Sequence, residues 1–481
     1  MTDAEIVSYL NKLEDNLPVS QWKIRNIDVW PLIKLELCSC LLSDSNNTHF
    51  SNNILNQSLL SKLKKIYHYL KACLSFFHII NGKFDVMIFH HNVARTVKCK
   101  DGSYFDYNLD PFTFCLENNF SILHLDYCVN SNVSNTFKKT YFVNHAIDRH
   151  FIMSRLKCLF CKKNYKLEKY SEFLATLPVN IHNKFSITNV LKNVIKLETL
   201  RNYFYKILIK TKVKFVIAGC GYGLDTMALF SACDKLDIKC MEVQHGLAAG
   251  ASHRWYTSWT NLPVGKKYQS LPNIYWVWSK ADYETMIKWS EPRHLIIQGG
   301  KPFVQIYKEL EPFISTKKIN LDKNKKTILV SLQPCVIYPE WFISFVKKSS
   351  GIYNWIIRTH PNFDNYQENF IRQFSNYNSI YLSIKDSLLE NELSIADVHV
   401  TNHSCVVVDA IEFMVPSIIL DSSYKGLFLK EIEKGNVIVA DERCIFENAL
   451  KTLFTNRNKL FCDEVKNKFD IHNVDTLVRQ E

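Results

Sequence analysis

Residues Val213–Gly246 read VKFVIAGCGYGLDTMALFSACDKLDIKCMEVQHG. The run Val213 to Ala218 is short and rich in β-branched and aromatic residues, as a buried strand is. Gly219, Cys220, Gly221, Tyr222 and Gly223 form a glycine-rich turn. Asp225 to Leu236 has the length and content of a helix, and Ile238 to Val243 is a second strand. Strand, glycine turn, helix and strand in about thirty residues make a βαβ unit, which demands a parallel pair and a crossover on one face.

The same alternation extends to both sides. Upstream, Phe84 to His90 and Ser121 to Asp126 are apolar runs ending in polar residues, with mostly helical pattern between them and Lys214, and helices through the first ~50 residues. Downstream come a strand at Ile274 to Trp278, a helix from Ala281 to Trp289, and a strand at Leu295 to Gln298 closed by Gly299 and Gly300. The lysine-rich, poorly patterned stretch Glu309 to Lys326 reads as a linker. Strands are then expected at Thr327 to Leu332, Trp355 to Arg358, Ser379 to Leu382, Val398 to Thr401, Ser417 to Leu420 and Asn436 to Val439, with helices between them, one from Ser404 to Phe413. The expectation is an α/β chain with two Rossmann-like domains facing each other across a cleft. Residues 1–308 would form the first, with helical N-terminal additions and the acceptor side. Residues 309–326 would be the linker, and 327–481 the nucleotide-binding domain with its C-terminal helices.

Composition sets the outer limits. The chain has 481 residues, 47% hydrophobic and 22% charged, which excludes disorder, coiled coil and a single small module. The longest apolar stretch, Leu60 to Gly82, is broken by lysines, so no spanning helix is expected. Leu59 to Ile80 still approximates an amphipathic helix with a basic face, suited to packing on a domain or to an anionic membrane surface. The net charge of +12 is concentrated: Gln57 to Lys100 holds eight Lys/Arg against one acid, and Lys138 to Tyr170 nine against two. No zinc-finger spacing, RNP-like strand or basic zipper is present, so nucleic acid is not an expected partner. The first residues, Met1 to Glu5, lack a basic n-region and apolar core, and the fifteen cysteines show no disulfide spacing. A cytoplasmic protein is expected, with peripheral contact on the inner membrane face as an option. Cys158 and Cys161 form the one C-x-x-C, with no second pair to complete a metal site.

In a parallel sheet the residues just past each strand border the ligand crevice. That rule selects Gln244, His245 and Gly246; Gln333 and Pro334; Arg358, Thr359, His360 and Pro361; and Thr401, Asn402, His403 and Ser404. Hydroxyls and backbone N–H groups at Thr401, Asn402 and Ser404 open a helix, which suits a phosphate as well as simple capping. Arg358 and His360 add cationic donors beside them. Gly221 and Gly223 let a substrate approach backbone or merely make a turn. The long loop Ser252 to Tyr268, with His253, Arg254 and Tyr256, suits an acceptor-binding lid or simple packing. No Asp-x-Asp occurs, so a carboxylate pair for a metal on the donor phosphate is missing. No metal and no cofactor are implied.

Gln244-His245-Gly246, Arg358-Thr359-His360-Pro361, and Ala396 to Ser404 followed by Val406 to Ala410 and Pro416 together resemble bacterial GT-B glycosyltransferases of surface polysaccharide assembly. That group takes in capsule and O-antigen sialyl- and Kdo-transferases and the CDP-glycerol glycerophosphotransferases. The likeness covers roughly Lys212 to Leu420. It implies that His360 and Ser404 hold the donor phosphate, that His245 lies opposite, and that Asp409 contacts the ribose. Gln333, Arg358, Pro361, Thr401 and Asn402 complete the implied donor set. Cys405 stands where a second serine is common. The acidic D/E-D/E-G triplet of many sialyltransferases is absent, which moves the base role to His245 or Glu242.

The resemblance implies an inverting, metal-independent glycosyltransferase. It would move a sugar from a nucleotide-activated donor, with a nonulosonic acid such as sialic acid or Kdo on CMP among the candidates, onto a glycan or lipid-linked oligosaccharide acceptor. A polyol-phosphate transferase using a CDP donor and a non-catalytic nucleotide- or glycan-binding subunit are the alternatives. Strand alternation sets Glu242 and His245 on opposite sides unless the backbone kinks, which makes His245 the better base.

Overall fold

The computed structural model describes residues 3–43, 76, 79–91, 95–127, 135–161, 164–245, 256, 259–316, 319–360, 364–377, 379–383, 387–461 and 469–480. The chain divides into two compact units: Met1–Thr96, Tyr104–Pro302 and Phe469–Glu481 form the first, and Val97–Ser103 with Phe303–Lys468 the second.

The first unit is built on a seven-stranded sheet: β1 (Val86–His91), β2 (Ile122–Tyr127), β3 (Thr140–Phe142), β4 (Phe215–Gly219), β5 (Lys239–Val243), β6 (Ile274–Val277) and β7 (Leu295–Gln298). Their order is β7-β6-β5-β4-β1-β2-β3, and every pair is parallel. Parallel strands are covered on both faces and read as continuous apolar runs. Val86, Met87, Ile88 and Phe89 are accordingly all fully buried, as are Phe215 to Ala218. The quoted βαβ unit is present, with a helix from Leu224 to Leu236 between β4 and β5.

Helices α1 (Asp3–Asn16), α2 (Trp30–Ser43), α3 (Asp110–Leu116), α4 (Ile187–Thr211) and α5 (Leu224–Leu236) belong to the same unit. Leu191, Val194, Leu200, Phe204 and Ile207 give α4 a buried stripe, and the Phe204 ring meets that of Phe89 edge-on at 5.5 Å. The N-terminal helices are tied on by one buried carboxylate. Glu14 Oε1 accepts from Trp30 Nε1 at 2.7 Å and from Lys34 Nζ at 2.8 Å, while Oε2 accepts from the Asn261 amide at 3.0 Å. Both charged side chains of this pair are fully buried, and Lys34 also lies 3.9 Å over the Trp259 ring.

The second unit carries β8 (Thr327–Ser331), β9 (Asn354–Arg358), β10 (Ile380–Ser383), β11 (Val398–Thr401), β12 (Ser417–Ile419) and β13 (Val437–Val439), ordered β10-β9-β8-β11-β12-β13 and again wholly parallel. Ile328, Val330, Trp355, Ile357, Val398 and Val400 form its fully buried centre. Each half thus has the parallel α/β architecture that the GT-B reading requires.

The structure departs from the expected boundaries. The change of unit falls at Pro302 and Phe303, ahead of the 309–326 stretch, and the chain crosses more than once. Residues 97–103 pair with the second unit, where Cys99 bridges Ile314 and the Lys100 amide donates to Phe313 O at 2.9 Å. The tail returns to the first: Phe469 N donates to Gln298 O at 3.0 Å, the Phe469 ring packs on Trp276, and Arg479 lies over the Phe120 ring. The helix expected from Ser404 to Phe413 is the shorter α6 (Val406–Glu412). The edge strand β3 interrupts a region expected to be helical. Most of the expected amphipathic helix Leu59 to Ile80 lies outside the described residues, among which no helix is long and apolar enough to cross a membrane. Cys158 and Cys161 are free thiols.

Glu14→Ala leaves the Lys34 ammonium in a dry site without this carboxylate. It should lower unfolding stability by about 3–5 kcal/mol, read as a shift in the chemical denaturation midpoint.

Candidate active site

The order of the first sheet reverses between β1 and β4, since successive strands run outward from there in both directions. A crevice for ligands opens beyond the carboxyl ends of two such strands. β1 ends at His91 and β4 runs into the turn Gly219–Gly223. His91 Nε2 lies 2.8 Å from Oδ2 of Asp225, in the first turn of α5. Burial would lower the His91 pKa, but the Asp225 hydrogen bond and the nearby carboxylates outweigh it and raise it. A Cβ at Gly223 would collide with the Asp225 carboxylate, so glycine there is a requirement of that contact.

The end of β5 meets the same turn. Glu242 is buried, and its Oε1 accepts from the Gly221 amide at 2.8 Å and from the Tyr256 hydroxyl. A Cβ at Gly221 would occupy the space of the carboxylate. Burial pushes the Glu242 pKa up to about 7, against the two hydrogen bonds, which lower it. His245 follows two residues past the strand, half-buried, with Nε2 2.7 Å from the Tyr222 hydroxyl. The backbone leaves the strand at Val243, so the acid and the imidazole both engage the glycine turn instead of pointing apart. Gln244 is buried, and its Oε1 accepts from the Trp278 amide at 2.9 Å, which fixes the segment between them. Tyr256 was expected on an acceptor lid. It is 2% exposed, and its hydroxyl is spent on Glu242. His253 and Arg254 lie outside the described residues, as do Gly246 and Pro361.

The second sheet reverses between β8 and β11. Gln333, just past β8, accepts through Oε1 from the His403 amide, just past β11, at 2.9 Å. This bond joins the two strand ends on either side of the reversal. His403 stacks on Tyr424 with ring centroids 3.9 Å apart, and the Asn402 amide reaches Asp421 Oδ2 at 3.5 Å. Ser404 Oγ accepts from Val406 N at 3.3 Å at the start of α6, and Asp409 is buried in that helix's first turn. His360, past β9, is half-buried, and its amide donates to Gln367 Oε1 at 2.6 Å. Burial lowers the pKa of His360 and of His403, against the pull of Asp364 and Asp421 respectively.

Two of the expected donor ligands do other work. Arg358 Nη1 donates to Glu392 Oε2 at 3.1 Å and to Ser387 O at 3.0 Å, and Glu392 is itself fully buried. Thr401 Oγ1 donates to Ser331 O at 2.9 Å, a cross-strand tie. The set left with a side chain near the reversal is Gln333, His360, Asn402 and Ser404. Sequence reasoning missed Glu392, Asp421, Tyr424, His91 and Asp225. Only His91 had a signal, since it ends an apolar run in the same way as the histidines that were selected.

On the opposite face of β1 from His91 lies a buried polar cluster. His90 Nδ1 is 2.8 Å from Asp106 Oδ2, and its Nε2 is 3.1 Å from His124 Nδ1. Arg95 donates to Asp126 at 2.8 Å and to Asp110 at 3.1 Å. Among the described residues, His90, Asp110 and His124 are the one group of histidine, cysteine and acidic side chains spaced to hold a metal ion.

Neither a family model nor a curated protein matches the chain. Solved structures with which it can be superposed include a Listeria monocytogenes protein assigned as a UDP-N-acetylglucosamine 2-epimerase (11% identity, 82% of this chain and 95% of that one, TM-score 0.49). A Methanocaldococcus jannaschii UDP-GlcNAc 2-epimerase in complex with UDP-GlcNAc and UDP gives 14%, 82%, 99% and 0.46 in the same order. The wall teichoic acid polymerase TagF gives 10%, 88%, 97% and 0.46.

The Glu242 site generates a stability prediction. A carboxyl whose pKa is raised on folding stabilises the native state while protonated, and loses that contribution as pH climbs from its unfolded value, near 4.5, through about 7. Glu242→Gln should therefore flatten the fall in thermal midpoint across that window. Gly221→Ala should lower stability at every pH, by about 1–3 kcal/mol of overpacking, and less so when combined with Glu242→Ala, as read from chemical denaturation.

Proposed function

We propose that the protein is an inverting, metal-independent transferase that moves a sugar from a nucleotide-activated donor to a glycan or lipid-linked acceptor. The observation that carries this reading is the donor-like edge of the second sheet. The Gln333 to His403 bond fixes the two loops at the strand reversal, and His360, Asn402 and Ser404 gather polar side chains at the same edge. Such groups stabilise the charge that grows on a departing phosphate. Arg358 contributes through its ion pair with Glu392, which holds the end of β9 in place. The first unit supplies the base. Glu242 is sealed from solvent, whereas His245 is half-exposed and oriented by Tyr222, so the imidazole is the group an acceptor hydroxyl can reach. A nonulosonic acid on CMP is among the candidate donors, and binding across CMP, CDP, UDP, GDP and TDP, read by thermal shift, discriminates between them.

An anionic membrane surface is the partner that suits a lipid-linked acceptor. Helix Asn144–Leu159 exposes Ile152, Leu156 and Leu159, with Phe160 next to it, and carries Arg155 and Lys157. The spacing sets these apolar residues on one face, within the more basic part of the sequence.

His245→Ala should lower kcat by about 100-fold or more with nucleotide affinity little changed, measured by initial rates and calorimetry. Loss of turnover in Glu242→Gln with His245→Ala active would transfer the role to the acid. Release of free CMP with the sugar transferred supports the reading. Release of CMP with glycerol phosphate on the acceptor indicates the polyol route, and binding without turnover a non-catalytic subunit.

His360→Ala and Ser404→Ala should each weaken nucleotide binding about tenfold or more, the loss of one hydrogen bond to a charged group. A bound phosphate favours the imidazolium form of His360, whose pKa burial has lowered, so wild-type affinity should rise from about pH 8 to about pH 6 and the His360→Ala profile should be flatter.

A further inference from the structure

The polar cluster behind β1 is independent of the transfer reading and has no part in it. His90 and His124 project from neighbouring parallel strands, in which Ile88 pairs with His124 and His90 with Asp126, so all four side chains share one face of the sheet. Asp110 opens α3 beneath them. His90, Asp106, Asp110 and Asp126 are at most 1% exposed, and His124 is 5% exposed.

Three atoms converge. His90 Nε2 lies 3.1 Å from His124 Nδ1 and 3.8 Å from Asp110 Oδ1, and one ligand atom from each residue falls within 4.8 Å of the others. A tetrahedral ion with bonds of about 2.0–2.2 Å spaces its ligand atoms about 3.3–3.6 Å apart. The surroundings are those of a metal ligand set. Asp106 Oδ2, 2.8 Å from His90 Nδ1, makes the carboxylate–histidine contact that turns the far nitrogen toward an ion. Asp106 is held in turn by the amides of Asn108 and Leu109. Asp110 Oδ2 accepts from Arg95 at 3.1 Å and from the Asp106 amide at 2.7 Å, whereas Asp110 Oδ1, also buried, has no hydrogen bond and is the oxygen nearest His90 Nε2.

Charge leads the same way. Asp106, Asp110 and Asp126 place three buried carboxyls in the cluster against the one guanidinium of Arg95. Buried carboxylates are costly without a cation, and a divalent ion adds positive charge where they converge.

We propose that His90 Nε2, His124 Nδ1 and Asp110 Oδ1 bind a divalent transition-metal ion of the zinc type. Two imidazoles and one carboxylate favour zinc or cobalt over magnesium or calcium, which prefer all-oxygen sets. The ion joins β1, β2 and α3 on the face of the sheet away from His91.

The full chain, stripped with phenanthroline and dialysed, is given cobalt(II) or zinc(II) alone. The expected result is one bound equivalent by elemental analysis, a raised thermal midpoint, and visible cobalt d–d absorption without thiolate-to-cobalt charge transfer. His124→Asn and Asp110→Asn should lose that equivalent. Asp106→Asn, which touches only the far side of His90, should weaken affinity about 10–100-fold. The proposal fails if the wild type binds no equivalent, if the cobalt spectrum is that of cysteine ligation alone, or if folded His124→Asn binds as the wild type does. Where a variant does not fold, the wild-type stoichiometry and cobalt spectrum decide the matter.

Discussion

A parallel strand cannot turn straight back beside its predecessor; the chain must cross over a face of the sheet before the next strand can pair. Both candidate edges in this protein follow from that constraint applied twice. Where successive crossovers part company, between β1 and β4 and again between β8 and β11, two strand ends lie side by side without a connection running directly from one strand to the other. The chain has placed imidazoles and hydroxyls at those points, ahead of apolar runs that stay dry. Rigid sheet and chemically varied edge are parts of one arrangement.

At the first reversal, two acids are kept close to one small turn, and they are handled differently. Asp225 has its charge matched by His91 at 2.8 Å. Among the described residues Glu242 is met by a tyrosine hydroxyl and one backbone amide and by no cation, and burial raises its pKa to about 7. Glycine at 221 and 223 makes both contacts sterically possible. The turn is thus a mount for carboxylates, and its glycines are explained by their neighbours without appeal to a phosphate.

The strands and helices were largely legible, because a doubly covered parallel strand announces itself by an unbroken apolar run, as Phe215 to Ala218 does. The strand β3, three residues at a sheet edge, has too little sequence to do so. The places of candidate residues were legible where chain position alone decides them, as with Gln333, His360 and His245, which follow their strands. They were hidden where the deciding partner is remote. Arg358 reads as a phosphate ligand until Glu392, thirty-four residues on, is brought to it, and Tyr256 reads as a lid aromatic until Glu242 is found beneath it. His90 and His91 were passed over because the pleat, which sends adjacent residues to opposite faces, gives each a meaning only once the partners on both faces are known.

Along the chain the main part of the second unit is set inside the first: it begins after Pro302, and the first unit resumes at Phe469. The ring of Phe469 on Trp276 and the guanidinium of Arg479 on Phe120 are therefore made only after the chain of the second unit has been synthesised. At about 5–20 residues per second, the sheet that ends with β7 waits on the order of ten seconds for these contacts. During that interval Trp276 and Phe120 lack the partners they have in the folded chain, so the first unit reaches its full packing only after residues 303–468 have been made.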